Sequence, residues 1–435
     1  MIGAAGCVSD QVGEGMYERA MERVRGTLQR FPRSLWLLAA ANFILFTARG
    51  MTMPFLVIFF GQIVGLGEGM VGAGIFVNAV VGVVFTLAVA GLIDRLGARL
   101  VLIATIVGVA VMTASFPLAT TPSLFFLVMV LHGCASQLYW PASDTFATSM
   151  VSMDQMGEMF ALLRVANALG IGAGGLLGGL IVAGGTLDQY RVLYLSSGAG
   201  IALAALMIVT LVRRPGTAAP SPRAGSANAG SWREVLADRR YLFSQVVMFI
   251  LLAAFTQLQV SAPPFLRKEA GVSEAVIGLL FAINTVIVVA LQIPVAARIG
   301  SWGRGTTFAV AALFWIVAYA MIGASPWLSL LPFAAIIIYT VGEMLFMPTT
   351  GVLVVELAPE RLRGRYLAGS SVTWGLAWGV ASWGSGAILG SSSPLLLWPA
   401  LIGVLIVGGL GGLLFDRMGG TRRAAAPAVQ LGDGD

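Results

Sequence analysis

Charge is what this chain has least of. Only 11% of its 435 residues are charged, against about 25% in soluble globular domains, and 58% are hydrophobic. A water-facing surface cannot be built from that composition, so a soluble fold is excluded and the lipid bilayer is the solvent. Two cysteines, Cys7 and Cys134, stand far apart, which excludes a disulfide framework and a zinc site. The single histidine, His132, removes the His-rich catalytic and metal constellations, and no GxSxG elbow, Walker loop or HExxH pattern is present. An enzyme or an ATP-driven pump is therefore not expected, and no cofactor or metal is called for. Lysine is nearly absent, with one residue against 25 arginines. With abundant Ala and Gly, that bias fits a GC-rich bacterial genome and places the protein in a bacterial inner membrane.

What is present is a series of apolar stretches, each near the 20 residues needed to cross a bilayer. Twelve are read, at 35–60, 70–91, 99–118, 123–147, 159–184, 191–212, 241–265, 272–297, 305–324, 328–352, 364–390 and 395–415. The expected fold class is an all-α membrane protein with twelve transmembrane helices. Residues 1–33 interleave five arginines with Glu14, Glu18 and Glu22; with no apolar core before Leu35 they read as a cytoplasmic amphipathic helix, not a cleavable signal. The series is broken by 213–240, rich in Pro, Ala, Ser and Gly and ending in Ser231-x-x-Glu234, a capping box for a short lateral helix. The expected plan is thus a cytoplasmic segment 1–33, a six-helix bundle 34–212, a linker 213–240, a second bundle 241–415 and a tail 416–435.

With the amino terminus inside, 21 basic residues fall in inner segments and three outside, namely Arg191, Arg267 and Lys268. That asymmetry satisfies the positive-inside rule and puts both termini in the cytoplasm. It also accounts for most of the net charge of +6, so nucleic acid is not an expected partner. The halves repeat: Gly97 and Gly303 are 206 apart, Pro141 and Pro348 are 207 apart, and Gly170 and Gly375 are 205 apart. Paired six-helix repeats are a recurring plan of secondary transporters.

The segment AGLIDRLGARL resembles the loop between helices 2 and 3 in the major facilitator superfamily, roughly G-x-L-a-D-R-x-G-R-R, matching at Leu92, Asp94, Arg95, Gly97 and Arg99. Ala90 stands where the first Gly is expected and Ala98 at the penultimate base. The resemblance implies the major facilitator fold, with Asp94, Arg95, Gly97 and Arg99 latching the halves on the cytoplasmic side, where a carboxylate favours the positive end of helix 11. A second stretch, RVANALGIGAGGLLGGL, resembles the helix 5 signature of the proton-coupled drug antiporters of that superfamily. Gly170, Gly174, Gly178 and Gly179 fit, and Gly175 replaces the expected Pro. Glycines four apart form a smooth ridge for close helix packing, expected here between the halves. In helix 4 many of these antiporters carry R-x-x-q-G, where this chain has Met129-Val-Leu-His132-Gly133. His132 is then either a substitute proton carrier or a hydrogen-bonded packing residue.

Glu343 sits inside the tenth span, in a stretch that resembles helix 10 of several drug and peptide transporters, where an intramembrane Glu takes part in proton coupling or cation binding. Counted from residue 328, it lies about 22 Å along the helix, nearer the cytoplasm than the midplane. A carboxylate there costs about 2.5–3.5 kcal/mol unless paired, hydrated or protonated. A group that holds a proton when dry and releases it when wetted is what coupling requires. Arg49 lies about 21 Å into the first span and needs an anionic partner, water or substrate. Asp144 and Arg164, at the inner ends of spans 4 and 5, can pair as a clamp or gate. Asn42, Asn78, Asn167, Asn284, Gln137, Gln257 and Gln292 supply neutral polar groups within the spans. Tyr139, Trp140, Tyr339, Phe346, Trp374 and Trp378 supply aromatic walls for an amphipathic molecule.

The expected protein is a secondary transporter working by alternating access, a monomer whose partners are protons, a small-molecule substrate and the bilayer. Efflux of drugs or other amphipathic molecules is the first reading. Proton-coupled symport or export of one metabolite or peptide is the second, and a non-transporting scaffold, sensor or lipid-handling protein on the same fold is the third.

Overall fold

The structure, a computed structural model, describes residues 31–89, 95–152, 155–212, 231–299 and 302–419. The helix expected before residue 31, Asp94, most of the linker and the tail after 419 lie outside them. The described residues form helices and connecting turns, with no strand among them. A bilayer dictates this, because only a helix satisfies its own backbone polar groups without water or a closed sheet.

The first half contains α1 (Arg33–Thr52), α2 (Glu68–Ala88), α3 (Ala98–Ser115), α4 (Pro122–Gln137, continuing as Tyr139–Thr148), α5 (Met156–Ile181) and α6 (Leu187–Thr210). The second contains α7 (Arg239–Phe255, continuing in short pieces to Ala270), α8 (Glu274–Ile299) and α9 (Arg304–Gly323), then α10 (Leu331–Leu357), α11 (Arg363–Leu389) and α12 (Leu397–Arg417). Eleven of these are long and apolar enough to cross a membrane. The twelfth, α11, has the length but is rich in Ser and Gly, and it lies against α2. Between the halves, Ser231 and Glu234 form both bonds of the capping box that starts the lateral helix Trp232–Ala237. Glu234 also pairs with Arg361, whose guanidinium holds the Glu234 carboxyl below the usual range.

Helix ends follow local chemistry. Thr121 caps α4 ahead of Pro122, Thr186 and Gln189 form a capping box on α6, and Asp238 accepts from two amides at the start of α7. Gly97, at φ 84°, makes the left-handed turn into α3 that a side chain would strain.

Neighbours repeat between halves: α2 lies on α4 as α8 lies on α10, and α3 on α6 as α9 on α12. The residues of the loop between α2 and α3 act inside these repeats. The Arg99 guanidinium donates to the carbonyls of Ile208, Val209 and Val212 at 2.8 to 3.1 Å, fixing the negative end of α6. In the other half Asp416 of α12 accepts from the amides of Gly305 and Thr306 at 2.9 and 2.7 Å, fixing the positive end of α9. The same joint is made with opposite charge. Arg99 thus ties the first half to itself, not to α11 as expected, and Arg95 and Gly97 are exposed.

The glycine ridge of α5 also has a different neighbour from the one expected. A Cβ on Gly170, Gly174 or Gly178 would meet backbone atoms of α1 or its extension, at 2.7 Å (Phe43 O), 2.1 Å (Thr47 O) and 2.3 Å (Met51 O). That ridge is internal to the first half. The glycines that face the other half are Gly172, Gly175 and Gly179, set against Thr285, Phe281 and Gly278 of α8. The second contact between halves runs along α2 and α11, where Gly72 and Gly386 interlock. One hydrophobic core joins the part of the first half around Phe59, Phe60, Phe125 and Tyr194 to the whole second half. The opposite end of the first half, around Leu35, Leu102, Phe146 and Ile208, has a core of its own.

Gly174→Ala is expected to lower stability by about 1–3 kcal/mol, the usual cost of overpacking, as a reduced melting temperature of the purified protein in detergent. Gly179→Ala instead burdens only the contact between halves. It should shift the population of spin-labelled molecules toward a parted outer end, with little loss of melting temperature.

Candidate transport site

Glu343 lies 12 residues after the start of α10 at Leu331 and 14 before its end at Leu357. It is therefore at mid-depth, because α10 begins and ends later than the sequence pattern indicates. Its Oε2 accepts from the Asn284 amide at 2.7 Å, and the same amide reaches Thr340 Oγ1 at 2.9 Å. Among the described residues no cation lies within ion-pair distance of it. The carboxyl is half-buried and held by neutral dipoles alone.

One turn further, Pro348 lacks the N–H that would bond the Met344 carbonyl. Gln292 of α8 replaces it, its Nε2 donating to Met344 O at 3.1 Å. Two amide side chains of α8 thus brace α10 on either side of the acid.

The first half carries a related arrangement. Asn78, 206 residues before Asn284, donates to Met129 O at 2.8 Å and approaches His132 Nδ1 at 3.1 Å. In each half an α2-type asparagine holds a titratable side chain of an α4-type helix, together with an acceptor three residues earlier. His132 is otherwise packed against Phe116.

Arg49 points into the bundle, its guanidinium over the rings of Phe46 and Tyr139 at 5.5 and 5.9 Å. Tyr139 is buried and fixed by its hydroxyl, which donates to Asn42 Oδ1 at 3.1 Å. Asn167 is half-buried on α5 and its Oδ1 has no partner.

Several expected site residues are placed elsewhere. Asp144 and Arg164 are both exposed and make no ion pair within 4 Å; the inner ends of α4 and α5 leave them apart. Tyr339 and Phe346 are sealed in the aromatic core of the second half with Phe255 and Trp315. Gln257 is buried too, satisfying the break in α7 by donating to Ala253 O and accepting from Ser261. Trp374 and Trp378 are half-buried against that core, Gln137 packs over Gly82, and Trp140 is exposed. A cavity of about 280 Å³ between α2, α3 and α4 is lined by apolar side chains such as Phe85, Leu100 and Leu131; it holds none of these polar groups.

A polar network at the other end was not anticipated. Arg267 donates to Glu274 at 2.7 Å and to Gln62 Oε1 at 2.9 Å, while Gln62 donates to Pro264 O at 3.0 Å. Lys268 lies 3.5 Å from Glu68, and Tyr190 donates to Glu274 at 3.4 Å. Gln62, Glu68 and Tyr190 belong to the first half and the rest to the second. Among the described residues, every side-chain hydrogen bond or ion pair between the halves lies here. The signal in the sequence was Arg267 and Lys268 themselves, two of the three basic residues on the side that otherwise lacks them.

Two quasi-repeated bundles, joined along two helix pairs and carrying polar groups at mid-membrane, define a multi-pass membrane carrier. The chain belongs to the Major Facilitator Superfamily, whose sequence profile matches residues 38–382. It is a secondary transporter that works by alternating access, not an enzyme. It is 24% identical to a Na(+), Li(+), K(+)/H(+) antiporter of Planococcus maritimus over 79% of this chain and 86% of that protein. It is 26% identical to the multidrug resistance protein MdtH of Cronobacter sakazakii over 72% of this chain and 77% of that one. Among solved structures it resembles nucleoside transporter NupG with a TM-score of 0.73 at 15% identity, covering 88% of this chain and 100% of that one. A POT family transporter in complex with 5-aminolevulinic acid gives 0.72 at 14%, covering 89% and 96%. The likenesses cross nucleoside, peptide and drug-resistance members, so they do not single out the drug-antiporter branch.

Gln292→Leu strips the Met344 carbonyl of its donor and should cost about 1–3 kcal/mol, as for any orphaned buried acceptor. In a Pro348→Ala background the restored backbone N–H supplies that donor, so the same change should cost much less. Thermal unfolding of the four proteins in one detergent measures the coupling.

Proposed function

We propose that this protein is a proton-coupled carrier of one class of small polar organic molecule. The observation that carries the reading is Glu343, a carboxyl at mid-depth whose only hydrogen-bond partner among the described residues is the neutral Asn284. With no fixed cation beside it, a charge there costs about 2.5–3.5 kcal/mol on insertion scales, and that cost disappears when a proton is bound. Proton occupancy then follows which mouth admits water. The likeness to nucleoside and peptide carriers supports a defined polar solute.

In this cycle the outer network is one gate. Glu68 and Glu274 are buried, at 6% and 5% exposure, so the 2.7 Å pair of Glu274 with Arg267 is largely shielded from the screening that weakens surface pairs, while Lys268 reaches Glu68 from an exposed position. Parting the outer end breaks these contacts and wets the two buried carboxylates, Glu68 and Glu274, together. The separate inner core of the first half lets the inner end open without disrupting either core.

Efflux of amphipathic drugs is the second reading, favoured by the resemblance to the MdtH relatives. The direction of gradient-linked flux separates the two: in proteoliposomes given a pH jump, uptake with the proton supports symport, counterflow supports antiport, and no gradient-linked flux removes both.

Glu343→Gln should abolish gradient-driven accumulation while leaving substrate exchange and folding intact. Retention of accumulation in that variant would remove Glu343 from the coupling role. Arg267→Gln leaves Glu274 buried without its cation, a loss of about 3–5 kcal/mol for the outer-closed state. Distances between spin labels at the outer ends of α2 and α8 should lengthen in that variant.

A further inference from the structure

We propose that the transported molecule carries an anionic group, a carboxylate or a phosphate, that docks on Arg49. This deepens the carrier reading above and rests on it.

Arg49 is an intramembrane cation without a counterion. Among the described residues no Asp or Glu lies within 4 Å of it, and its guanidinium lies over the ring faces of Phe46 and Tyr139. The carboxylate that follows on α4, Asp144, is five residues beyond Tyr139 and exposed. At 1.5 Å per residue that is about 7.5 Å away along the helix.

Ring faces are an incomplete solution for a guanidinium. Cation–π contacts contribute about 0.5–2 kcal/mol, whereas an Arg at the bilayer centre costs about 2.5–3.5 kcal/mol on insertion scales. The rings also take the face of the cation and leave its five N–H donors, arranged in a fork that matches two oxygens of one anion. Tyr139 cannot turn away, because Asn42 holds its hydroxyl. The fork therefore sits on a prepared aromatic platform.

A second unsatisfied group lies on the neighbouring helix. Asn167 Oδ1 is buried with no partner. It is one turn along α5 from Gly170, whose Cβ position falls 3.0 Å from the Phe46 side chain. Phe46 is one of the two rings under Arg49, so the orphan acceptor lies one helical turn from the point where α5 meets the residue that carries one of those rings. A molecule that brings an anion to Arg49 and an N–H or O–H to Asn167, such as an amino acid or a hydroxy acid, would satisfy both.

The test needs no transport, so its outcome is separable from that of the coupling experiment. The full-length protein in detergent is heated with N-acetylphenylalanine, lactate, benzoate and phenyl phosphate, each beside its uncharged amide or alcohol. At least one of the four anions should raise the melting temperature where its neutral counterpart does not, and the anion that does so separates carboxylate from phosphate. Arg49→Met should weaken that binding about 10- to 100-fold, the loss expected for a charge-assisted contact, and Arg49→Lys should restore part of it. Stabilisation by none of the anions, equal stabilisation by the neutral partners, or an undiminished shift in Arg49→Met would overturn the proposal. Gradient-driven flux that depends on Glu343 would survive that failure, leaving the carrier reading in place. If Arg49→Met does not fold, Arg49→Gln and the anion-against-amide comparison in the unaltered protein decide the matter.

Discussion

A hydrocarbon solvent offers no hydrogen bonds, so each polar group inside this bundle must find its partner within the protein, in trapped water or in the cargo. Most of the interior obeys the first option. Tyr339 and Tyr319 bond carbonyls of α7, Ser197 bonds Ala48 O, and Gln292 fills the vacancy left by Pro348. The groups that do not fit this rule are few. Glu343 has a dipole but no countercharge, and Arg49 has rings but no anion. Other buried atoms, among them Asn167 Oδ1, Tyr194 Oη and Trp398 Nε1, also lack a partner, but these two side chains, Glu343 and Arg49, are ionisable, and neither is needed to hold helices together.

The helix contacts show how such an interior divides labour. One face of α5 meets α1 through Gly170, Gly174 and Gly178, at distances no side chain tolerates, and so locks a half into a unit. Another face meets α8 through Gly172, Gly175 and Gly179 and forms the surface along which the halves turn. Both faces use small residues for the same steric reason, yet one contact is permanent and the other must be reversible. The polar network at the outer end supplies the directional bonds that van der Waals packing along this surface lacks.

The architecture was legible because span length and charge asymmetry are written locally in the chain. The helices stand within a few residues of the apolar stretches, and the repeat offset of about 206 reappears as Asn78 and Asn284 in matching roles. What was not legible is which face meets which neighbour. Periodicity put Gly170, Gly174 and Gly178 on one stripe but could not say that α1, not α8, covers it. Arg99 was recognised by its motif, while its acceptors, three carbonyls at the end of α6, have no side-chain signature at all. Counting from an early start placed Glu343 too deep toward the cytoplasm. Tyr339 and Phe346 were counted as walls because aromatic residues look alike in sequence, whether they face a passage or a core.

The composition of α11 has a consequence for how the protein is made. Gly364, Gly369, Ser370, Ser371, Gly375, Ser382, Ser385 and Gly386 leave this helix less oily than its eleven companions, and the groove that shelters it belongs to α2. Of the twelve spans, α11 is therefore the one that leans most on a protein neighbour for its place in lipid. Because α2 is synthesised well before α11, its groove precedes the helix that fills it, and chain order favours the pairing of the two halves.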